Sequence, residues 1–499
     1  MSLLLLSPVF LAFIVIYRLS ARRHPLPPGP PPKFLTGNIH QVPPTHPWRT
    51  YEKWGLQYGP MVYFRIMQKK FIVLHTFKAA TDLLDARAGI YSERPTTVFF
   101  GDLIGRQEAV FYLPSTHRNF KKYRKYLTSG LNARATRSYA EVSKDEVHVL
   151  LLNLMKNPEQ FTHHFRRYAG AVILKVTYGW TVSNTGDDQL VSLIEQAARL
   201  QPELVRPGRW MVDTIPLLKY VPAWFPFASF QKAALEYKAI FSRIDQYPWE
   251  WTKQQVTSGT YTDSFASKHI LELDSLPPEE AAEEDKIARF CSAGLYSGGA
   301  ETIVGVLTAF TLAMTLYPDV QARIQEELAT IVGQRLPTVD DKDSLPYLNA
   351  VLWEVLRWAP IAPVALPHRV LEDDVYEGYL VPKGTVVIPN IWAMTRDESV
   401  YPAPDVFDPE RYLGKTPQRD PRRMVFGFGR RVCPGAHFAE TSIFLVMGSI
   451  MTAFNITKAL DDAGKEIIPA VEFSSNITSH PLPFECKVTA RAPDLLASL

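Results

Sequence analysis

Residues 426–435 read FGFGRRVCPG, and this glycine-rich stretch decides how the rest of the chain is interpreted. Glycines at positions 427, 429 and 435 let the backbone approach another group closely and leave amide donors free to point at a single atom. The sulfur of Cys433 is the expected recipient, because amide donors stabilise a thiolate and tune a metal bound to it. One thiolate, a nearby arginine (Arg431) and glycines that suit a flat body are typical of porphyrin iron with one protein axial ligand.

Two other chemistries compete for the same cysteine. A closed zinc site needs four ligands, whereas Cys433 and His437 form an isolated pair in the sequence. A cysteine hydrolase would use the same two residues one helical turn apart, but no acid that would orient the histidine is evident. Porphyrin iron is therefore favoured over both.

The composition excludes several classes of protein. The 499 residues carry 54 Lys+Arg against 51 Asp+Glu, a net charge of +3, with 46% hydrophobic and 21% charged residues. Neither a disordered chain nor a basic nucleic-acid-binding protein has such a balance. The only cysteines are Cys291, Cys433 and Cys486, which excludes a disulfide-stapled secreted scaffold and indicates a reducing compartment.

Residues 1–20 predict a single N-terminal transmembrane anchor. The run from Met1 to Leu19 is almost entirely apolar and, as a helix, would be about 28 Å long, at the short end for a bilayer span. The basic residues Arg18, Arg22 and Arg23 come at its end and after it, the reverse of a cleavable signal peptide. The rest of the chain is therefore expected to face the cytosol. A buried N-terminal helix is the alternative.

Residues 21–35 predict a basic, proline-rich hinge. Residues 25–32 read PLPPGPPP, and six prolines in eight positions favour a stiff, extended spacer. Since no internal repeat and no second linker follows, residues 36–499 are expected to form one large catalytic domain.

The body of the chain predicts a mainly α fold with small β-sheets (α+β). In residues 318–333, Pro318 opens a helix, Gly333 closes it, and one face carries Val320, Ile324, Leu328 and Ile331. Residues 286–316 predict a longer apolar helix. The β-branched runs 71–74 and 385–388 predict strands.

The opening stretch resembles the haem-binding signature of the cytochrome P450 family, Phe-x-x-Gly-x-Arg-x-Cys-x-Gly. Its five fixed positions are filled by Phe426, Gly429, Arg431, Cys433 and Gly435. The resemblance implies the cytochrome P450 fold behind the single anchor, haem b as the cofactor, and Cys433 as the axial ligand of the haem iron. In the family, electron donation by the thiolate favours cleavage of the O–O bond.

Glu354 and Arg357 match the family's Glu-x-x-Arg motif. Without the resemblance they would be an ordinary surface ion pair, three residues apart on a helix. The resemblance implies that they form, with Arg411, a buried structural network near the proximal face of the haem, which supports folding and haem retention.

Residues 297–303 of the long apolar helix read SGGAETI. Gly298 and Gly299 each cost roughly 1 kcal/mol relative to alanine inside a helix, so they are expected to serve either close helix packing or contact with a flat cofactor and dioxygen. The resemblance implies the cofactor contact, and proton delivery by Glu301 and Thr302 during oxygen activation. The presence of both weighs against the family's isomerases and dehydratases.

The resemblance also implies cationic contacts to the haem propionates. Arg124 is similar to the arginine of the family's Trp-x-x-x-Arg, although Phe120 stands in the tryptophan position and lacks the indole N–H. Arg431 and either His368 or Arg369 are similar to the remaining contacts. Each of these residues, taken alone, would more often be a solvated surface charge.

Two features indicate partners. Six basic residues lie in segments that the family places near its proximal side, where an acidic flavoprotein reductase would dock by electrostatic steering: Lys121, Lys122, Lys125, Arg422, Arg423 and Arg430. The uncharged aromatic segment 221–230 predicts either a loop that dips into the membrane or a buried core loop. Cytochrome b5 is expected as a second electron donor. The protein is expected to be a monomer that binds no nucleic acid. The sequons at Asn455 and Asn476 are expected to be unmodified.

The resemblance implies a monooxygenase of the endoplasmic reticulum membrane that uses O2 and electrons from NADPH delivered by the reductase. The segments PLPPGPPP, YSERP (91–95) and FDPERYLG resemble the fungal microsomal branch, which implies tailoring of a lipophilic terpenoid, polyketide or aromatic compound. Segments expected to face the substrate are residues 97–101, the helix near Tyr296, residues 361–366 and residues 474–478. The alternatives are a haem-thiolate isomerase or dehydratase that needs no reductase, a Cys433-based hydrolase, and a non-catalytic membrane-tethered haem-binding protein.

Overall fold

Helices account for most of the chain in a computed structural model that describes residues 24–183, 188–205 and 208–499. The predicted anchor, residues 1–20, lies outside the described residues. The helices are α1 (Pro47–Tyr58), α2 (Phe77–Ala80), α3 (Ala88–Tyr91), α4 (Phe120–Leu131), α5 (Ala133–Ser138), α6 (Ala140–Lys156), α7 (Phe161–Tyr178), α8 (Gln189–Val205), α9 (Ser229–Ser258), α10 (Phe265–Leu273), α11 (Pro278–Leu316), α12 (Pro318–Ile331), α13 (Pro346–Trp358), α14 (Ile391–Met394), α15 (Arg422–Val425), α16 (Ala436–Ala453) and α17 (Pro493–Ala497). Short 3-10 or π-helical turns lie at Thr81–Ala86, Val98–Leu103, Pro158–Gln160, Met211–Asp213, Pro216–Tyr220, Val339–Ser344, Pro409–Tyr412 and Gly429–Arg431.

Eight strands form three small sheets in the described part of the chain. They are β1 (Met61–Ile66), β2 (Lys69–Leu74), β3 (His368–Arg369), β4 (Asp374–Tyr376), β5 (Tyr379–Val381), β6 (Val386–Pro389), β7 (Phe454–Lys458) and β8 (Cys486–Ala490). The largest sheet has the order β1-β2-β6-β3, in which β2 and β6 run parallel, and the others are the pairs β4-β5 and β7-β8. The predicted strands 71–74 and 385–388 correspond to β2 and β6.

Helix α11 is the long helix around which the core is built. Pro278 begins it and Glu279 and Glu280 lie in its first turn, where a rigid backbone and negative charges favour a helix start. Its second half is buried on all sides, which is why its hydrophobicity shows no clear helical face. By length and mean hydropathy α11 and α16 could each cross a membrane, but 78% of the relevant window of each is buried inside the protein. Both are core helices here.

Helix α12 confirms most of the predicted apolar face, with one error at its end. Ile324 and Leu328 are buried, but Ile331 is 47% exposed and the next residue, Val332, is buried in its place. The N–H groups of Val332 and Gly333 both donate to the carbonyl of Leu328, so the regular helix ends at Ile331 and the backbone of the cap turns Val332 inward. The left-handed backbone of Gly333 then closes it.

The proline-rich segment is extended, as predicted, and it lies against the body of the protein. The Pro28 carbonyl accepts a 2.9 Å hydrogen bond from the N–H of Tyr63 in β1, and the Pro25 carbonyl accepts one of 2.8 Å from Leu380 in β5. A side chain at Gly29 would collide with the backbone of Tyr63. Residues 25–29 are therefore held against the body of the protein by backbone contacts.

The aromatic segment 221–230 is on the surface. Trp224 is 80% exposed and Phe227 is 98% exposed. The interpretation of this segment as a buried core loop is therefore wrong, because Trp224 and Phe227 lie outside the core and only Phe230, at the end of the segment, packs against a buried cluster.

Glu354 and Arg357 on α13 lie at the centre of a fully buried charge network. Both side chains are 0% exposed, and the Arg357 Nε and Nη2 atoms each donate a 2.7 Å hydrogen bond to the Glu354 carboxylate. Arg411 Nε donates to the same carboxylate at 3.3 Å and the Tyr412 hydroxyl at 3.0 Å. Burial disfavours the charged guanidinium, but the bonds to Glu354 outweigh it and raise the pKa of Arg357.

We expect Glu354→Ala to lower the free energy of unfolding by about 3–5 kcal/mol, because it leaves two buried guanidinium groups without their carboxylate. Urea unfolding followed by tryptophan fluorescence measures this. The matched control is Glu410→Ala, which removes a half-exposed ion pair with Arg323 and should cost about 1 kcal/mol or less. Equal losses for the two variants would contradict the network's structural role.

Candidate active site

The glycine-rich loop is held by backbone contacts that require its glycines. Gly427 and Gly429 adopt positive φ angles of 81° and 55°, which favour glycine. A Cβ atom on Gly429 would also lie 2.1 Å from the carbonyl oxygen of Leu84, an impossible separation. The Gly429 N–H donates to the carboxylate of Asp85. The loop is thus pressed against the turn Thr81–Ala86, and only glycine fits at position 429.

Cys433 lies three residues before α16, and its N–H donates a 2.8 Å hydrogen bond to the Phe426 carbonyl. Its side chain is solvent-accessible, although protein atoms surround it on most sides. The thiol therefore faces an internal space. Burial raises the pKa of the Cys433 thiol, while the N–H of Gly435 and the charge of Arg124 oppose that shift. The two other cysteines differ: Cys291 is fully buried and Cys486 is half-buried.

The zinc and hydrolase interpretations find no geometric basis. No hydrogen bond joins Cys433 to His437, which is exposed on the first turn of α16. Within the described residues, no group of three or more His, Cys, Asp or Glu side chains could hold a metal ion.

Three arginines, Arg94, Arg124 and Arg431, cluster with His368 beside the loop. None of the three forms an ion pair among the described residues, although the carboxylate of Glu93 lies close enough to act on Arg94 and Arg431. Arg94 donates to the carbonyls of Phe111, Leu366 and Pro367, and Arg431 donates to those of Ser92 and Leu113. Arg124 donates to the Val432 carbonyl, and His368 Nδ1 is 2.7 Å from the Tyr91 carbonyl oxygen.

The charges in this cluster oppose one another. Burial, and then the repulsion of Arg431 and Arg124, lower the pKa of Arg94 to about 9. Burial likewise lowers the pKa of Arg431 to about 10 and that of His368 to about 3. A group with two carboxylates would relieve this repulsion, so the cluster fits the propionates of a haem.

His368 and Arg369 are separated by the alternation of strand β3. His368 is buried against the cluster, where Arg94 and Arg431 act on its pKa. Arg369 points to the other face of the sheet and lines a large cavity. Of the two residues, His368 therefore lies in the cluster and Arg369 does not.

Phe120, in the position where tryptophan was expected, lies under the guanidinium of Arg431. The ring centroid is 4.5 Å from Arg431 Cζ, a cation–π distance. The phenylalanine thus retains a contact with the cationic cluster through its ring face.

Gly298 and Gly299 lie in α11 at points of close packing. A Cβ atom on Gly299 would come within 2.9 Å of Ile173 in α7, and one on Gly298 within 3.2 Å of the Phe111 ring. Close packing accounts for both glycines, and their contact with a cofactor stays a prediction.

Thr302 and Glu301 point in different directions from α11. The Thr302 hydroxyl donates a 2.9 Å hydrogen bond to the Gly298 carbonyl. The Glu301 carboxylate lies 3.9 Å from His480 Nε2 and borders a cavity of about 10 Å³, lined also by Arg166 and Glu195, which is just large enough for one water molecule. Burial raises the pKa of Glu301; Arg166 opposes this shift and Glu195 adds to it.

Comparison with known proteins supports the family assignment. Residues 27–488 match the family model for cytochrome P450. The chain belongs to the cytochrome P450 family. It is 40% identical to cytochrome P450 monooxygenase claR of Ampulloclitocybe clavipes, over 98% of this chain and 91% of that protein. It is 38% identical to cytochrome P450 monooxygenase 208 of Postia placenta (97% and 94% covered) and 35% identical to cytochrome P450 monooxygenase COX2 of Coprinopsis cinerea (97% and 93% covered).

The protein is therefore a cytochrome P450 monooxygenase with the mainly helical fold of that family, and the family implies haem-thiolate iron. Three of the four segments predicted to face the substrate, 97–101, 361–366 and 474–478, contribute to the lining of one cavity of about 1520 Å³. Tyr296 is fully buried, and its hydroxyl donates to the Leu190 carbonyl.

Sequence reasoning missed two parts of this P450 site. Arg94 lies in the segment YSERP, shortly after the end of α3. Its position between Glu93 and Pro95 is a local pattern that could have singled it out. His480, Arg166 and Glu195, which surround Glu301, come from segments far apart in the chain, and no local pattern marks them.

We expect Glu301→Gln to be more stable than the wild type at about pH 8, because the raised pKa makes ionisation of Glu301 in the folded protein unfavourable. The sign follows from the shift: stability is lost as the pH rises from the unfolded pKa of about 4.3 through the higher folded pKa. The difference between the proteins should therefore vanish near pH 4. Urea unfolding at both pH values measures it, with Glu236→Gln, an exposed site, as the control. A destabilised Glu301→Gln at high pH would contradict the shift.

Proposed function

We propose that this P450 uses Cys433 as the thiolate ligand of haem b to oxidise a lipophilic small molecule, with electrons from NADPH delivered by a reductase. The observation that carries the proposal is the geometry of the loop: an exposed thiol, on a backbone fixed by close contacts, lies beside arginines that form no ion pair among the described residues.

Haem, when bound, supplies the redox chemistry that activates dioxygen. In this proposal Phe426, Gly429 and Gly435 shape the loop around the thiolate, and the Gly435 N–H and Arg124 favour its ionised form. Arg124, Arg431 and His368, joined by Arg94, hold the propionates. Glu354, Arg357 and Arg411 keep the proximal side in place.

Thr302 and Glu301 are proposed to supply protons. The Thr302 hydroxyl donates to the helix backbone, and its remaining lone pairs can accept a hydrogen bond from a water molecule. Glu301 borders the water-sized cavity and has a raised pKa, so its carboxyl can hold a proton nearer neutral pH than an exposed glutamate does. In the proposal, Glu301 takes up a proton at that cavity and the neighbouring Thr302 passes it on to the distal side.

The domain organisation proposed is a single-pass anchor at residues 1–20, a hinge at 21–35 and a catalytic domain at 36–499 that faces the cytosol at the endoplasmic reticulum membrane. Exposed aromatic and aliphatic side chains support membrane contact of the body itself. They include Trp224, Phe225 and Phe227 in the aromatic segment, and Phe34 and Leu35 after the prolines.

The proposed reductase surface keeps several free charges. Of the six basic residues, Lys122 pairs with Glu284, and Arg422 pairs with Asp420 and Glu440. The other four, Lys121, Lys125, Arg423 and Arg430, have no ion pair among the described residues and are available to an acidic partner. Cytochrome b5 could use the same charges.

The substrate proposed is a lipophilic secondary metabolite, such as a terpenoid, polyketide or aromatic compound. The size of the large cavity and its apolar side chains support a bulky, largely apolar ligand. The fungal P450 relatives support the biological setting.

The central test is the spectrum of the dithionite-reduced protein under carbon monoxide. We expect the far-red-shifted Soret band of thiolate ligation in the wild type and its loss in Cys433→Ala, because no other thiol faces the same space. Cys486→Ala is the control and should keep the band. Haem content is measured in parallel. A wild-type protein without the band, or a Cys433→Ala protein that keeps it, would overturn the proposal.

We expect Thr302→Ala to divert electrons from product to hydrogen peroxide, because it removes the hydroxyl that holds a proton donor. Peroxide released per NADPH consumed, with reductase present, measures this; a several-fold rise is expected. Thr308→Ala, which removes a buried hydroxyl elsewhere on α11, is the control. Substrate turnover that needs neither reductase nor Thr302 would instead favour an isomerase or dehydratase. A protein that binds haem but shows no NADPH-dependent oxygen uptake would favour a non-catalytic haem-binding protein.

A further inference from the structure

The lining of the cavity of about 1520 Å³ includes both acidic and basic side chains. The acidic residues are Asp102, Glu203 and Asp213, and each of them already has a partner. Asp102 pairs with Lys219, Glu203 pairs with Arg209, and Asp213 accepts a 2.8 Å hydrogen bond from the Phe99 N–H. None of these contacts involves Arg369.

Another part of the lining, which we call the sheet wall, is a face of the four-stranded sheet, and Arg369 lies on its edge strand β3. In the register of that sheet Arg369 is paired with Val386 and Val386 with Phe71, so the three side chains share one face. Lys69, two residues before Phe71 in β2, lies on this face as well. All four residues line the cavity. The sheet wall is thus an apolar strip flanked by two cations, of which Lys69 has the carboxylate of Asp213 nearby.

Arg369 has no acceptor for its side chain among the described residues. Its Nε is buried without a hydrogen-bond partner, and the rest of the guanidinium neither pairs with a carboxylate nor donates to a carbonyl. Lys383, which also lines the cavity, has no ion pair either. A partly buried guanidinium with an unsatisfied N–H is unfavourable unless something accepts from it.

Arg369 differs in this respect from the other arginines of the cavity. Arg94 donates to three carbonyls, Arg106 pairs with Asp245, and Arg209 pairs with Glu203. Among the arginines that line the cavity, Arg369 alone has no acceptor for its side chain in the described part of the chain.

We propose that the substrate of this P450 carries an anionic group, a carboxylate or a group of similar charge, which Arg369 binds while the apolar part of the molecule lies along Phe71 and Val386. The planar guanidinium can donate two parallel hydrogen bonds to such a group. The proposal rests on the function proposed above, because it identifies the cavity as the route or resting place of the substrate.

A pair of fluorescent probes tests this without knowledge of the substrate. The anionic probe is 8-anilinonaphthalene-1-sulfonate, and the neutral probe is N-phenyl-1-naphthylamine, which has the same aromatic skeleton without the sulfonate. Both are titrated into the full-length, haem-loaded protein. We expect Arg369→Gln to weaken binding of the anionic probe by roughly tenfold or more and to leave the neutral probe within about twofold, because only the former loses a charge-assisted bond.

Two further variants separate charge from geometry. Arg369→Lys keeps the charge but loses the planar fork, and should give an intermediate affinity for the sulfonate. Arg134→Gln makes the same change of net charge at an exposed site and should leave both probes unaffected. An anionic-lipid vesicle assay serves as a third arm, in which Arg369→Gln should bind as the wild type does.

Several results would overturn the proposal. The first is a wild-type protein that does not bind the sulfonate probe. The second is an Arg369→Gln protein whose affinity falls by the same factor for both probes, and the third is an equal effect of Arg134→Gln. Loss of vesicle binding by Arg369→Gln with unchanged probe binding would also overturn it, as would loss of haem in Arg369→Gln, which would make Arg369 a cofactor contact. Failure of the function proposed above is seen separately, as a missing thiolate band in the wild-type spectrum under carbon monoxide.

Discussion

The position of the Cys433 sulfur is set by contacts between backbone atoms, and the rest of the site is arranged around it. Gly429 lies against the carbonyl of Leu84, and the N–H of Cys433 is bonded to the carbonyl of Phe426. Because neither contact depends on a side-chain rotamer, the backbone that carries the thiol is fixed against the turn Thr81–Ala86, just before the start of helix α16. A loop built in this way can hold a metal ligand without relying on packing of the cysteine itself.

Buried arginines serve two opposite purposes in this protein. Arg357 is enclosed with a carboxylate that accepts two bonds from it, and its pKa is raised despite burial. Arg94 is enclosed with carbonyl groups and other cations, and its pKa is lowered to about 9. In the first arrangement the charge is neutralised by a carboxylate of the same chain, which stabilises the fold. The second leaves a positive potential beside the thiol, which is the environment that an anionic prosthetic group requires.

Much of the fold and part of the site could be predicted from the sequence, and the limits have physical reasons. Prolines, glycines and apolar periodicity are local, so helices such as α12 and strands such as β2 and β6 were identifiable, apart from the last turn at Ile331. The loop around Cys433 was identifiable because each position that only glycine can occupy shows directly as a glycine in the sequence. The surroundings of Glu301 could not be predicted, because His480, Arg166 and Glu195 meet only through tertiary packing. The choice between His368 and Arg369 required strand register, which two adjacent residues do not reveal.

The docking of the proline-rich segment also has a consequence for solubility. Strand β1 is the outer strand of the four-stranded sheet, and outer strands offer unpaired backbone groups to other chains. Here residues 28–38 occupy that edge: the N–H of Tyr63 donates to the Pro28 carbonyl, and the N–H of Met67 donates to the Thr36 carbonyl. Because prolines have no N–H to donate, the segment covers the edge without extending the sheet to a further strand. The proline-rich segment therefore also shields the sheet from edge-to-edge aggregation.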